Sequence, residues 1–205
     1  LLAQTPGVLA AFHQLEPAAR ELIALHVAKT ARGMAGFVAS RPEIGNRGHA
    51  SLKELQAYCY VVAGIVGEML TELFLLASRT LRTKAGELRA RAVAFGEALQ
   101  LVNVLKDSAG DAQVGRHFLP AGDDRSEEFA LARRDLELAS EYVRTVQAHG
   151  GARGTVAFIA LPVRLARASL DRIEQLGPGA KLARTEVARI VAELQLALLR
   201  GSPAV

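Results

Sequence analysis

Residues 57–67 read AYCYVVAGIVG, and the helix they would form has no polar stripe. Wound at about 100° per residue, Tyr58, Val62, Ile65 and Met69 fall on one face, while Tyr60, Ala63, Gly67, Thr71 and Phe74 fall on the other. A helix that is apolar all round belongs in the centre of a bundle. Gly64 and Gly67 sharpen the constraint, because each costs about 1 kcal/mol relative to Ala inside a helix. Two uses offset that cost: a close helix–helix approach, or room for a ligand chain beside the helix. Glu68 ends the run, and its eleven residues are too few to cross a bilayer as a helix.

The rest of the chain fits around such a helix. Chain breakers divide it into six predicted helices, at about 16–40, 51–79, 84–111, 126–148, 155–176 and 184–199. The first stops before Pro42 and the loop EIGNRGHAS, and the second starts at a capping box of Ser51 and Glu54. The third loses regularity at SAGD, and HGGARG closes the fourth. The fifth is kinked at Pro162, and LGPGA precedes the sixth. No strand-length alternation or internal repeat is present. With aromatics at 5%, no Trp and abundant Ala and Leu, the composition is helical. The expectation is a single all-α domain over residues 1–205, large enough for a sizeable core.

Several function classes fall away. Cys59 is the only cysteine, which excludes a disulfide framework and a cysteine-based zinc site and makes a reducing, cytoplasmic setting the expectation. The net charge is +4 and the pI about 9.6, but the arginines are scattered among acids, without a basic cluster interleaved with aromatics. Nucleic acid is therefore not the expected partner. The opening LLAQTPGVLAAFHQL lacks the charged-then-apolar order of a signal peptide and has no initiator Met, so it reads as the middle of a longer chain.

The chemistry concentrates in NVLKDSAGDAQVGRHFLP (103–120). Gln100, Asn103, Asp107 and Asp111 share one quadrant of a helix directly after two apolar turns. Carboxylates four residues apart repel by a few tenths of a kcal/mol unless a cation lies between them. Mg²⁺ prefers oxygen ligands and keeps several waters, so Asp107 and Asp111 with the Asn103 amide oxygen could hold one ion against a phosphate. Lys106 and Arg116 bracket the pair with positive charge suited to a diphosphate.

The blocks YCYVVAGIVGEMLTELF (58–74) and FGEALQLVNVLKDSAGDAQVGRHFLP (95–120) resemble the squalene/phytoene synthase family, with weaker support from ARGMAGF (31–37) and VAFIALPV (156–163). The resemblance implies an isoprenoid synthase-type α bundle around a central cavity. It also implies head-to-head joining of two farnesyl or geranylgeranyl diphosphates to a squalene- or phytoene-type product. Mg²⁺ is the implied cofactor, held at Asn103, Asp107 and Asp111; whether NADPH is also used stays open. Carried over by position, Tyr58 is the active-site phenol, Gln100 lies near the reacting carbons or the diphosphate, and Lys106 and Arg116 hold diphosphate. Val62, Ala63, Val66, Gly67, Leu70 and Leu99 line the prenyl channel. The chain departs from the family at Lys106, where Arg is usual, and at Gly110, where an acid is usual. It also lacks a first aspartate-rich motif: residues 1–57 contain no Asp, and their acids are Glu16, Glu21, Glu43 and Glu54. The resemblance thus implies an N-terminally truncated form of the fold. Oily products make peripheral membrane contact the expected departure from a purely cytoplasmic location. The alternative is a non-catalytic lipid-binding or assembly protein on the same fold.

Other residues carry no chemistry on this reading. His13, His26, His49, His117 and His149 show no metal-ligand spacing. The acids of GDDRSEE (122–128) suit a helix N-terminus, and Lys181 and Arg184 suit a solvated helix start.

Overall fold

A computed structural model describes residues 2–40, 49, 51–122 and 124–205, and it contains no strand among them. A single 3-10 turn, Leu2–Gln4, leads into α1 (Thr5–His13) and α2 (Pro17–Ser40). Then come α3 (Leu52–Cys59), one π-helical turn (Tyr60–Gly64), α4 (Ile65–Ala77) and the short α5 (Arg79–Arg82). The bundle is completed by α6 (Ala85–Gln113), α7 (Ser126–Ala148), α8 (Arg153–Leu176) and α9 (Arg184–Arg200). The all-α expectation holds. Of the loop EIGNRGHAS, all but His49 and Ser51 lies outside the described residues, as does Pro42.

The local signals explain most boundaries. Ser51 Oγ accepts the Glu54 N–H at 3.3 Å, opening α3. Glu127 and Glu128 sit in the first turn of α7, and Asp124 Oδ1 accepts the Ser126 N–H at 2.9 Å. At the end of α4, Arg82 donates to the Leu75 and Leu76 carbonyls, at 2.8 and 2.9 Å. α1 was not expected from the sequence; Pro6 in its first turn supplies a preset φ where no N–H partner is needed. SAGD does not break α6, which stays regular to Gln113. Nor does Pro162 interrupt α8; the carbonyl it orphans belongs to Phe158, a residue 59% exposed.

The centre of the bundle is α6, not the glycine-bearing helix. α6 packs against α3, the π turn, α4, α7 and α8, while α2 packs on α4 and the π turn. Leu88, Ala98, Leu101 and Leu105 of α6 meet Leu136, Tyr142 and Val143 of α7 and Ile159 and Leu170 of α8 in one core. The Leu52–Ala77 stretch buries only one side: Leu55, Cys59, Ile65, Gly67, Thr71 and Leu75 are buried, whereas Val66 and Leu76 are 39% and 40% exposed. The π turn also offsets the two expected faces, because a wider turn shifts every later side chain around the axis. The apolar run is part of a helical stretch, Leu52–Ala77, that at 26 residues is long and apolar enough to cross a bilayer by length and composition. This corrects the inference drawn from the eleven-residue run alone.

A buried hydroxyl pair ties α4 to α7. Thr71 Oγ1 donates to the Gly67 carbonyl at 2.8 Å, so the Tyr142 phenol donates to Thr71 Oγ1 at 2.9 Å. Burial pushes that phenol up to about 12. Tyr142→Phe removes one donor and leaves Thr71 with its carbonyl, so a loss of about 1 kcal/mol is expected. A thermal melt should show it as a midpoint lower by roughly 2–4 °C.

Candidate active site

α6 presents the polar stripe as the spacing requires. Leu101, Val102, Val104 and Leu105 point into the core at 2–5% exposed, while Asn103 and Asp107 stand exposed between them. The cation between these groups is the chain's own lysine: Lys106 Nζ donates to Asn103 Oδ1 at 3.0 Å and lies 3.5 Å from Asp107 Oδ2. Lys106 thus bridges the stripe instead of standing free for a diphosphate. Asp107 keeps half its side chain in solvent, and Asp111 is half-buried one turn on.

This donor set fits Mg²⁺ in one respect. Two hard carboxylates and an amide oxygen with open access to water suit an ion that retains several waters. No cluster of three or more His, Cys, Asp or Glu side chains able to hold a metal occurs among the described residues, so waters and substrate oxygens would have to complete any coordination.

Gly115 decides where Arg116 goes. Its φ of +73° ends α6 in a left-handed turn: Gly115 N–H donates to the Ala112 carbonyl at 3.1 Å and Arg116 N–H to the Asp111 carbonyl at 2.8 Å. This is the paired closure that glycine permits at a helix end. It folds Arg116 back over the turn bearing Asp111, with its side chain exposed. The LGPGA loop comes to the same end, where Gly179 N–H donates to the Lys106 carbonyl at 2.7 Å. Lys181 and Arg184 follow this loop, and both are exposed.

Tyr58 sits among aromatic rings that the sequence reading did not gather. It stacks on Phe118 at 5.5 Å, meets Phe37 edge-on at 5.9 Å, and has His49 tilted against it at 5.2 Å. His49, assigned no role from sequence, is buried in this cluster. The sequence pointers were that Phe37 closes the stretch ARGMAGF and that Phe118 lies in the block 95–120. Burial is the main cause that raises the Tyr58 phenol above its ordinary value, with the Cys59 thiol and the Asp111 carboxylate adding to it. Tyr58 therefore stays protonated at neutral pH, and it lies within electrostatic reach of Asp111.

The expected channel residues divide. Leu70 and Leu99 pack partly buried against the core, and Val62, Ala63 and Gln100 are half-buried. Val66 lines a groove of about 270 Å³ with His26, Val27 and Met69, between α2 and α4. Gly67 takes the close-contact role, not the channel role: a Cβ there would lie 2.0 Å from the Ala92 carbonyl oxygen of α6. Gly96 makes the reciprocal contact, its Cβ position lying 2.1 Å from the Ala63 oxygen. A cavity of about 660 Å³ opens on another side of α6, lined by Ser108, Ala112, Phe118, Arg125 and Phe129, away from the aspartate stripe.

Comparison with known proteins gives the family. The family model described as squalene/phytoene synthase matches residues 1–190. Squalene synthase ERG9 of Candida albicans is 34% identical over 120 residues, covering 58% of this chain and 27% of that protein. A chloroplastic phytoene synthase of Narcissus pseudonarcissus is 35% identical over 96 residues, covering 47% of this chain and 22% of that one. The chain thus spans about a quarter of the length of these curated relatives. Among solved structures, a ligand complex of TcSQS superposes with a TM-score of 0.67 at 24% identity, over 94% of this chain and 62% of that one, a likeness of fold. With the aspartate stripe, the glycine-ended α6 and the half-buried Tyr58 in place, the chain belongs to the squalene/phytoene synthase family.

Proposed function

We propose that this chain takes part in the head-to-head condensation of two prenyl diphosphates, farnesyl or geranylgeranyl, to a squalene- or phytoene-type product. The observation that carries the reading is the convergence at one end of α6: the Asp107/Asp111 stripe, Arg116 folded back by Gly115, and a protonated Tyr58 that feels the Asp111 charge. Asn103, Asp107 and Asp111 would hold Mg²⁺, which when bound neutralises the departing diphosphate. Arg116 offers a planar fork to the same oxygens. Lys106 would exchange its internal partners for a phosphate oxygen, which keeps charge in place without the fork. Tyr58, kept neutral by burial, would orient the reacting carbons through its phenol dipole, and the rings of Phe37 and Phe118 keep water from that side. NADPH belongs to the squalene-forming branch, so products assayed with and without it would assign the branch. We place the activity in the cytoplasm with peripheral membrane contact, because the products are oils.

Calorimetric titration of residues 1–205 with farnesyl diphosphate tests the site. Weak binding is expected in Mg²⁺ and none in EDTA, with Asp107→Asn/Asp111→Asn abolishing the Mg²⁺-dependent part. Binding that is indifferent to EDTA and to both substitutions would remove the aspartate stripe from the reading.

A further inference from the structure

Away from the aspartate stripe, a void too tight for water lies between α3, α6 and α7, lined by Leu55, Gln56, Cys59, Glu97, Leu101, Leu131 and Asp135. Asp135 is 2% exposed. Its Oδ1 accepts both Nε and Nη2 of Arg134, at 3.1 and 3.0 Å, but its Oδ2 is buried with no hydrogen-bond partner. A buried carboxylate oxygen without a donor is costly, and native proteins rarely leave one. Glu97, one helical turn before Leu101, faces the same void.

We propose that Glu97 and Asp135 share one proton across the α6–α7 contact, with Glu97 as the acid donating to Asp135 Oδ2, forming a clasp that opens when the proton is lost. The surrounding groups fix who holds it. From α7, Glu97 faces Asp135 and Arg134; from α3 it faces the Cys59 thiol; the Tyr60 ring adjoins it beside Gly64. Burial raises the Asp135 carboxyl too, but its ion pair with Arg134 opposes that rise and leaves the negative charge on Asp135. Burial first, and then the Asp135 charge, push Glu97 up to about 7, while Arg134 opposes the shift. Burial likewise pushes the Cys59 thiol up to about 12, so the thiol does not ionise into the void at neutral pH.

The sign follows from linkage. Glu97 binds its proton more tightly folded than unfolded, so the clasp contributes fully below the ordinary value of 4.5 and is lost as pH rises through about 7. Above that, two carboxylates meet in a void that admits no water, and α7 is pushed from α6.

A carbon-13 titration of the Glu97 carboxyl in the whole chain tests this, with thermal melts across the same pH range. The Glu97 midpoint is expected near 7, and the melting temperature should fall as pH rises through it. Glu97→Gln keeps a donor but cannot ionise, so its melting temperature should stay flat over that range. Asp135→Asn should lower the Glu97 midpoint. A Glu97 midpoint in the ordinary carboxylate range, or a Glu97→Gln protein with the unaltered pH profile, would overturn the proposal. Should Glu97→Gln fail to fold, the titration of the unaltered chain decides alone.

Discussion

Asp107→Asn is expected to lower Mg²⁺-dependent turnover of prenyl diphosphate in the complete enzyme by about two to three orders of magnitude, the loss typical of removing one preorganised group from a developing charge. The fold should hardly notice. Asp107 is half exposed and its contact with Lys106 is long, at 3.5 Å, so the lost ion pair contributes at most about 1 kcal/mol. Removing one of two carboxylates at i and i+4 returns a few tenths of a kcal/mol. Turnover and melting temperature measured on the same preparation separate the two effects. An Asp107→Asn enzyme that turns over normally at limiting Mg²⁺ would show that this carboxylate holds no metal.

Gly67→Ala and Gly96→Ala should each destabilise the fold by about 1–3 kcal/mol, and Gly67→Leu by more. The added Cβ in each case meets a backbone carbonyl oxygen of the facing helix, at 2.0 Å for Gly67 and 2.1 Å for Gly96. Backbone cannot rotate away, so α6 must separate from α4 at Gly67 and from the π turn at Gly96. Gly64 is different, since its added Cβ meets side chains, Tyr60 Cδ2 at 2.8 Å and Val93 Cγ1 at 3.3 Å, which can shift. Gly110 is the control: nothing lies within 4 Å of its Cβ position, so Gly110→Ala should stabilise the helix by roughly 0.5–1 kcal/mol. Urea midpoints for the four variants would rank them. Gly67→Ala as stable as the unaltered chain would return Gly67 to the channel.

Local chemistry was legible in the sequence wherever a single residue decides it. Ser51 and the acids before and within the first turn of α7 each act over a few residues, and the structure places each where its type predicts. The Gln100–Asn103–Asp107–Asp111 stripe was equally legible, because spacing along one helix fixes which side chains share a face. The buried side of the Tyr58–Phe74 helix was not. An apolar residue has no partner written beside it, and the π turn at Tyr60–Gly64 shifts the register in a way no single residue announces.

What the sequence by itself determined is the helical class, several helix starts and the existence of an aspartate stripe. Tertiary structure decided the rest. It made α6 the central helix, turned Gly67 and Gly96 into a backbone-to-backbone seam, set Lys106 between Asn103 and Asp107, and brought Phe37, His49 and Phe118 around Tyr58. It also set Glu97 and Asp135 into one dry void. The physical reason is range: capping and helical periodicity act over a few residues, whereas close packing and desolvation depend on which distant segments meet.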